Sequence, residues 1–476
     1  MFSRVEVPLW LLTLILLFAA VAFLSHFLFP SVRWFLRRRM ERAVEELNKR
    51  LERPIQPFKL THRHDQIIRL VYDPQVMAAV ADYAREERIP REVAFEKARN
   101  YAREIVPGFS TATYFGFAIR VARGLSRLFY KVHLGRGDAQ TLRAIDPNAA
   151  VVFVMNHRSN MDYVLVTWLA ADRSTLSYAV GEWARVWPLR ALIRGMGAYF
   201  IRRRYSTALY RAVLARYVQM SVHEGVTQAM FPEGGLSLNG AVGPAKKGLL
   251  NYIVRDFAPD AERDVVFVPV ALNYDRVLED EVLIKAGETG DRRFRLRLTE
   301  AAGWLIWLLW QKLLRRRRTY GHAAVCYGTP LSLRAHVTAQ PDSNTEALAG
   351  ELMTRIRAAV PLLPVPLTAA ALQRARGSAT LPELEASVAA LVGEARDKGA
   401  NLHLADGTVA ETVRFAIGAL RRQGIVLFEA ETLRITPGKE MALGYYAASV
   451  VQRLEEPGML GRPGPSDLTL PEVTET

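Results

Sequence analysis

Asn156-His157-Arg158-Ser159-Asn160-Met161-Asp162 places an imidazole five residues ahead of a carboxylate. In such a pair the carboxylate can accept from one ring nitrogen and fix the tautomer, which leaves the other nitrogen to take a proton. On a continuous helix the two side chains would lie roughly 140° apart, so the pairing needs a strand-to-helix turn between them. Ser159 or Asn160 supplies a candidate N-cap for such a turn. Downstream, Gly197-Ala198-Tyr199-Phe200-Ile201-Arg202-Arg203-Arg204 sets clustered guanidiniums after a small-residue turn, a pattern suited to bidentate bonds with phosphate. Phe231-Pro232-Glu233-Gly234-Gly235 ends an apolar run in a glycine turn, whose N–H groups can face an anion or polyol while Glu233 accepts from a hydroxyl.

These segments need a scaffold that ends strands beside helix starts. Candidate strands at 149–155, 227–231, 265–272 and 323–327 alternate with candidate helices at 163–170, 187–196, 208–223 and 247–253, which argues an α/β fold with its chemistry at strand ends. Residues 31–145 read as a helical region, and 146–340 as the catalytic domain. A small α+β C-terminal unit follows at 365–455, where Thr380 with Glu383 and Thr408 with Glu411 read as capping boxes and 425–429 with 433–436 as a hairpin. Helices before a hairpin resemble a winged helix, but too few basic residues lie on the candidate reading helix, so no nucleic acid partner is expected. His62-Arg63-His64-Asp65 reads as a solvated turn, with no matching ligand set for a metal. The tail 456–476, rich in Pro, Gly and acidic residues, reads as disordered.

The chain of 476 residues carries 63 Lys plus Arg against 48 Asp plus Glu, a net charge of +15 that favours an anionic partner. With 50% hydrophobic residues it is not a disordered chain, and a lone cysteine, Cys326, excludes an internal disulfide framework. Leu9 to Phe29 holds no charged residue and is long enough for one transmembrane helix within an anchor at 1–30. Arg33, Arg37, Arg38, Arg39 and Arg42 follow it, which by the positive-inside rule puts the rest of the chain on the cytoplasmic side. Ala301 to Leu314, with Trp304, Trp307 and Trp310 before Arg315–Arg318, suits a helix lying in the headgroup region of a bilayer.

Taken in order, HRSNMD, GAYFIRR, FPEGG and VPVALNYD resemble the four blocks of the glycerolipid acyltransferase superfamily, nearest to its bacterial membrane-bound glycerol-3-phosphate and dihydroxyacetone-phosphate acyltransferase branch. The segment from Lys97 to Ile105 and Tyr445-Tyr446 look like that branch too. The resemblance implies an α/β fold with a mixed sheet flanked by helices. It also implies acyl transfer from a thioester, of coenzyme A or acyl carrier protein, to the sn-1 hydroxyl of glycerol 3-phosphate at the inner membrane. His157 would be the general base and Asp162 its orienting partner. Arg202, Arg203, Glu233, Gly234, Gly235 and Lys246 would hold the acceptor, and Pro269 would shape the acyl side, with no metal or bound cofactor. One block departs from the pattern: where that branch continues Arg-Ser-Arg, this chain has Leu236-Ser237-Leu238. Lys246, Lys247 or Arg203 could compensate, and lysophosphatidate stays open as an alternative acceptor, with a non-catalytic membrane-tethered binding protein as the contrasting reading.

Overall fold

A computed structural model of the chain describes residues 44–135, 142–169, 175–181, 189–202, 206–290, 320–340 and 344–455, with isolated positions before residue 44. Residues 1–55 with 172–174 form one compact unit, in which residues 44–50 are helical. Residues 56–171 and 175–476 form the other, which holds the site. The apolar run 9–29, the Trp-rich stretch 301–314, Arg203 and the tail 456–476 lie outside the described residues, apart from Thr13 and Leu16. Among the described residues no helix is long and apolar enough to cross a membrane.

The larger unit is built on an eight-stranded mixed sheet in the order β1 (Lys131–Leu134), β7 (His322–Tyr327), β6 (Val265–Tyr274), β2 (Ala150–Met155), β5 (Gln228–Met230), β3 (Ser177–Val180) and β4 (Tyr199–Phe200), with β8 (Leu331–Ser332) paired to β6. The strands β6, β2, β5, β3 and β4 run parallel, while β7 and β8 run antiparallel to β6. Buried on both faces, β2 and β6 are continuous apolar runs, as parallel strands covered by helices must be.

Alternation along β2 separates two cores. Val151, Phe153 and Met155 face one that includes the helices Met161–Leu169, Pro364–Arg374, Leu381–Asp397, Val409–Arg422 and Glu440–Glu455. Ala150, Val152 and Val154 face the other, filled by the helices Arg63–Val71, Pro74–Glu86, Arg91–Ile105, Ala208–His223 and Thr345–Ala359. The C-terminal residues therefore share a core with the strand that leads into His157.

Several elements depart from the sequence reading. Among its described residues, region 31–145 is mostly helical up to Phe129 but then carries β1, a half-exposed edge strand whose Lys131 and His133 mask its apolar alternation. The strands β3, β4 and β8 are two to four residues long, too short to show a period. Arg63, His64 and Asp65 begin the helix Arg63–Val71 rather than forming a turn, although His64 and Asp65 are exposed. The C-terminal hairpin gains a third strand, with β9 (Ser378–Thr380) paired to β11 (Thr432–Ile435), itself paired to β10 (Val426–Glu429). Thr380 and Glu383 form the expected capping box, and the Thr408 side chain accepts from the Glu411 amide.

Candidate active site

Five parallel strands deliver their carboxyl ends to one edge of the sheet, where His157, Glu233 and Arg202 follow β2, β5 and β4. The longer β6 pairs Val270 with Met155 and continues to Tyr274, so its last residues flank the turn that leaves β2. Pro269 is buried in β6 opposite Val154. Its carbonyl accepts from Gly328 on the side away from β2. The missing N–H therefore falls in the gap between β8, which pairs at Val266–Phe267, and β7, which begins at Val270. That is the kind of place where a strand tolerates proline.

The turn after β2 pairs the imidazole with its carboxylate. His157 Nδ1 lies 2.9 Å from Asp162 Oδ2, and the Arg158 and Ser159 amides donate to the same oxygen at 2.8 and 3.0 Å. Tyr274 donates its hydroxyl to Asp162 Oδ1 at 2.5 Å. With the two amides and the Tyr274 hydroxyl donating to it, Asp162 is placed as the acceptor for a proton on Nδ1, the tautomer that leaves the lone pair on Nε2. No hydrogen bond occupies Nε2 among the described residues. The helix Met161–Leu169 starts here because the Ser159 hydroxyl accepts from the Met161 amide at 3.1 Å. That hydroxyl in turn donates to Glu279, which also accepts from the Asn160 amide. Phe231, next after β5, stacks on the His157 ring at 4.1 Å between centroids, and Tyr163 meets the ring edge-on at 5.4 Å.

Glu233 is drawn into the same frame. One oxygen accepts from the His157 amide at 2.8 Å and the other from the Gly243 amide at 2.9 Å. Burial pushes its carboxyl up to about 7, against the opposing pull of those two N–H bonds and of Arg158. Its position fits a clamp between the base and the following loop, with both oxygens already used by backbone donors. Gly234 takes a φ of +68°, and a Cβ there would stand 2.6 Å from Lys246 Cδ and 3.2 Å from its Nζ. The glycine thus lets Lys246 lie across the turn. Lys246 is exposed and pairs with no carboxylate among the described residues, whereas Lys247 is 2.7 Å from Glu346. Gly235 is half-buried in the same turn, and Leu236 and Leu238 turn inward against the core.

Arg202 stands apart. It follows β4, three strands or about 14 Å across the sheet from β2. Its guanidinium meets Glu104 bidentately at 2.9 and 2.6 Å and lies over Tyr101 and Tyr210. Glu104 holds it well above the usual arginine range. Next to it a cleft of about 280 Å³ is lined by Asn100, Arg103, Glu104, Arg190, Arg194 and Phe200. The structure therefore brings together His157, Asp162, Glu233, Gly234, Gly235 and Lys246, keeps Pro269 inside β6, and leaves Arg202 with a helix partner. Sequence reasoning did not assign roles to Arg158, Tyr274 or Glu279. Tyr274 was visible within VPVALNYD, but only the overhang of β6 shows what its hydroxyl reaches.

Comparison with known proteins gives two family matches, Acyltransferase over residues 138–273 and the glycerol-3-phosphate acyltransferase C-terminal region over residues 300–459. The chain is 28% identical to the glycerol-3-phosphate acyltransferase of Alteromonas mediterranea over 65% of this chain and 39% of that protein. It is 28% identical to that of Aeromonas hydrophila, over 69% and 42%, and 30% identical to that of Ectopseudomonas mendocina, over 58% and 32%. The chain thus spans between about a third and two fifths of the length of these curated relatives. Among solved structures, the 1-acyl-sn-glycerophosphate acyltransferase of Thermotoga maritima is similar at 18% identity over 62% of this chain and 95% of that one, with a TM-score of 0.32.

Proposed function

We propose, from the premise that residues 138–273 match the Acyltransferase family and 300–459 the glycerol-3-phosphate acyltransferase C-terminal region, that the chain acylates the sn-1 hydroxyl of glycerol 3-phosphate. The observation that carries this reading is the orientation of His157, whose Nδ1 faces Asp162 while Nε2 has no hydrogen-bond partner among the described residues. In the proposed reaction Nε2 takes the proton of the acceptor hydroxyl as its oxygen attacks the thioester carbonyl. The C–O bond forms, the C–S bond breaks, and the departing thiolate recovers the proton from the imidazolium. Asp162 stabilises that transient cation. The thioester is already activated, so this route calls for no bound cofactor, and the donor would be a coenzyme A or acyl carrier protein thioester.

Lys246 is the cation best supported as a partner for the acceptor phosphate, since it is exposed, unpaired by acids among the described residues and laid over Gly234. A second acceptor, lysophosphatidate, is favoured by one observation. Leu236 and Leu238 stand where two arginines would otherwise flank the turn, and both pack inward. A membrane-bound enzyme with its site on the cytoplasmic side of the inner membrane is supported by the apolar run 9–29 and the arginines that follow it. Membranes from expressing cells, given labelled glycerol 3-phosphate or lysophosphatidate with each thioester, test the reading. Transfer to glycerol 3-phosphate that His157→Ala abolishes is the expected result, and transfer to lysophosphatidate alone would install the second acceptor.

A further inference from the structure

The helix Glu440–Glu455 touches three segments close to the dyad. Gln452 exchanges two bonds with the backbone of Val242, at 2.8 and 3.0 Å, in the loop that also carries Gly243. Ser449 accepts from Asn273 at the end of β6, at 3.2 Å. Tyr446 donates to Asp280, the residue after Glu279, at 2.5 Å. Gly240, with φ +83°, passes so close to this helix that a Cβ would stand 1.8 Å from the Tyr445 carbonyl oxygen.

Arg158 joins this helix to the dyad. Its side chain is 2% exposed. Nη1 donates to the Gly240 carbonyl, the guanidinium carbon lies 5.2 Å from the centre of the Tyr445 ring, and Nε and Nη2 have no hydrogen-bond partner among the described residues. A buried cation with open donors is costly unless something stabilises the charge. Here the negative face of the Tyr445 ring does so. The Arg158 amide meanwhile donates to Asp162 Oδ2. One residue thus touches the C-terminal helix through its side chain and the orienting carboxylate through its backbone.

We infer that Arg158 and Tyr445 form a positioning pair through which the C-terminal helix sets the geometry and charge environment of the His157–Asp162 dyad. This rests on the reading of His157 as the base. Neither residue touches substrate in this scheme. The pair acts by holding the backbone that feeds Asp162, and by placing a cation beside Glu233.

The test uses the full chain in detergent or membranes. Tyr445→Phe keeps the ring face and loses only a hydroxyl that has no hydrogen bond among the described residues, so turnover should stay within about twofold of wild type. Stepwise fluorination of phenylalanine at 445 keeps nearly the same volume while draining the ring face. It should lower kcat progressively, to about tenfold at full fluorination, with both KM values little changed. Tyr445→Leu should lower kcat by a similar factor, and combining it with Arg158→Gln should go no lower than the worse single variant. A second readout needs no turnover. Carboxyl NMR of labelled glutamate, assigned by its loss in Glu233→Gln, should show the Glu233 titration moving upward in Arg158→Gln, because a nearby cation has been removed. A flat fluorination series in an active enzyme, multiplicative effects of the two substitutions, or an unmoved Glu233 titration each overturns the pair. Wild-type protein without acyl transfer would overturn the functional reading instead, and the NMR titration would still decide the pair.

Discussion

The Asn156 side chain behaves as one more peptide of β2: its Nδ2 donates to the Leu272 carbonyl at 3.0 Å and its Oδ1 accepts from the Leu272 amide at 2.8 Å. The backbone ladder between β2 and β6 ends at Met155 opposite Val270, so this side chain extends the pairing by one step while the main chain turns away. His157 therefore leaves the sheet from a defined point. Asn156→Ala would leave a buried amide and carbonyl of Leu272 unpaired, and should cost about 2–4 kcal/mol in denaturant unfolding. Because the turn loses its anchor, kcat should fall as well. A variant as stable as wild type would show that water replaces the amide.

His157→Ala removes the proposed base, and Asp162→Asn removes the anion that fixes its tautomer. Each should lower kcat by roughly 10²–10⁴-fold with a much smaller change in acceptor KM. Tyr274→Phe deletes one of the four donors to Asp162 and should lower kcat by roughly tenfold. Steady-state kinetics on protein with an unchanged circular dichroism spectrum checks all three. Full activity in folded His157→Ala would remove the base from its assigned role.

The pH dependence of Glu233 has a definite sign. Its folded value of about 7 lies above its ordinary 4.5, so the folded state holds the proton more tightly than the unfolded chain. The stability it contributes is complete below about 4.5 and is lost as pH rises through about 7. Glu233→Gln removes that titration, so the variant should lose less stability than wild type between pH 5 and 8. Urea titrations at several pH values measure this. An identical slope for the two proteins would mean that Glu233 is not the group responsible.

Two cations should separate by phenotype. Lys246→Ala is expected to raise acceptor KM about tenfold, the loss of one charge-assisted bond, while leaving donor KM nearly unchanged. Arg202→Ala should act mainly on the fold, because its guanidinium is occupied by Glu104. A cycle with Glu104→Ala should return a coupling of about 1 kcal/mol in unfolding experiments. If Arg202→Ala instead raises acceptor KM in a protein of wild-type stability, the phosphate belongs at the edge strand and Lys246 is a bystander.

Apolar runs announced the strands that matter most, since β2, β5, β6 and β7 each begin or end within two residues of the expected 149–155, 227–231, 265–272 and 323–327. The helix at 208–223 coincides with its expected bounds, and the structure shows the Thr207 side chain capping its start. What the sequence hides is the set of contacts made across the sheet. Glu233 in a glycine turn looks like a group facing a ligand, yet in the fold its carboxylate is taken by two backbone amides, one of them from His157. Arg202 looks like a phosphate grip, but Glu104 lies 98 residues earlier and meets it only once the helix Arg91–Ile105 packs beside β4. Arg158 inside HRSNMD resembles any solvated arginine, and its burial depends on a tyrosine near the other end of the chain.

The bonds from Gln452, Ser449 and Tyr446 to Val242, Asn273 and Asp280 also give the protein a temporal order. Synthesis from the N-terminus delivers His157 and Asp162 more than 250 residues before the helix Glu440–Glu455, and the β2–β6 ladder can form once residue 274 is available. The helix that braces both is made after them. A chain still on the ribosome would carry its base and carboxylate without the frame that aligns them, so competence would come only with completion of the C-terminal helix, however early the sheet itself assembles.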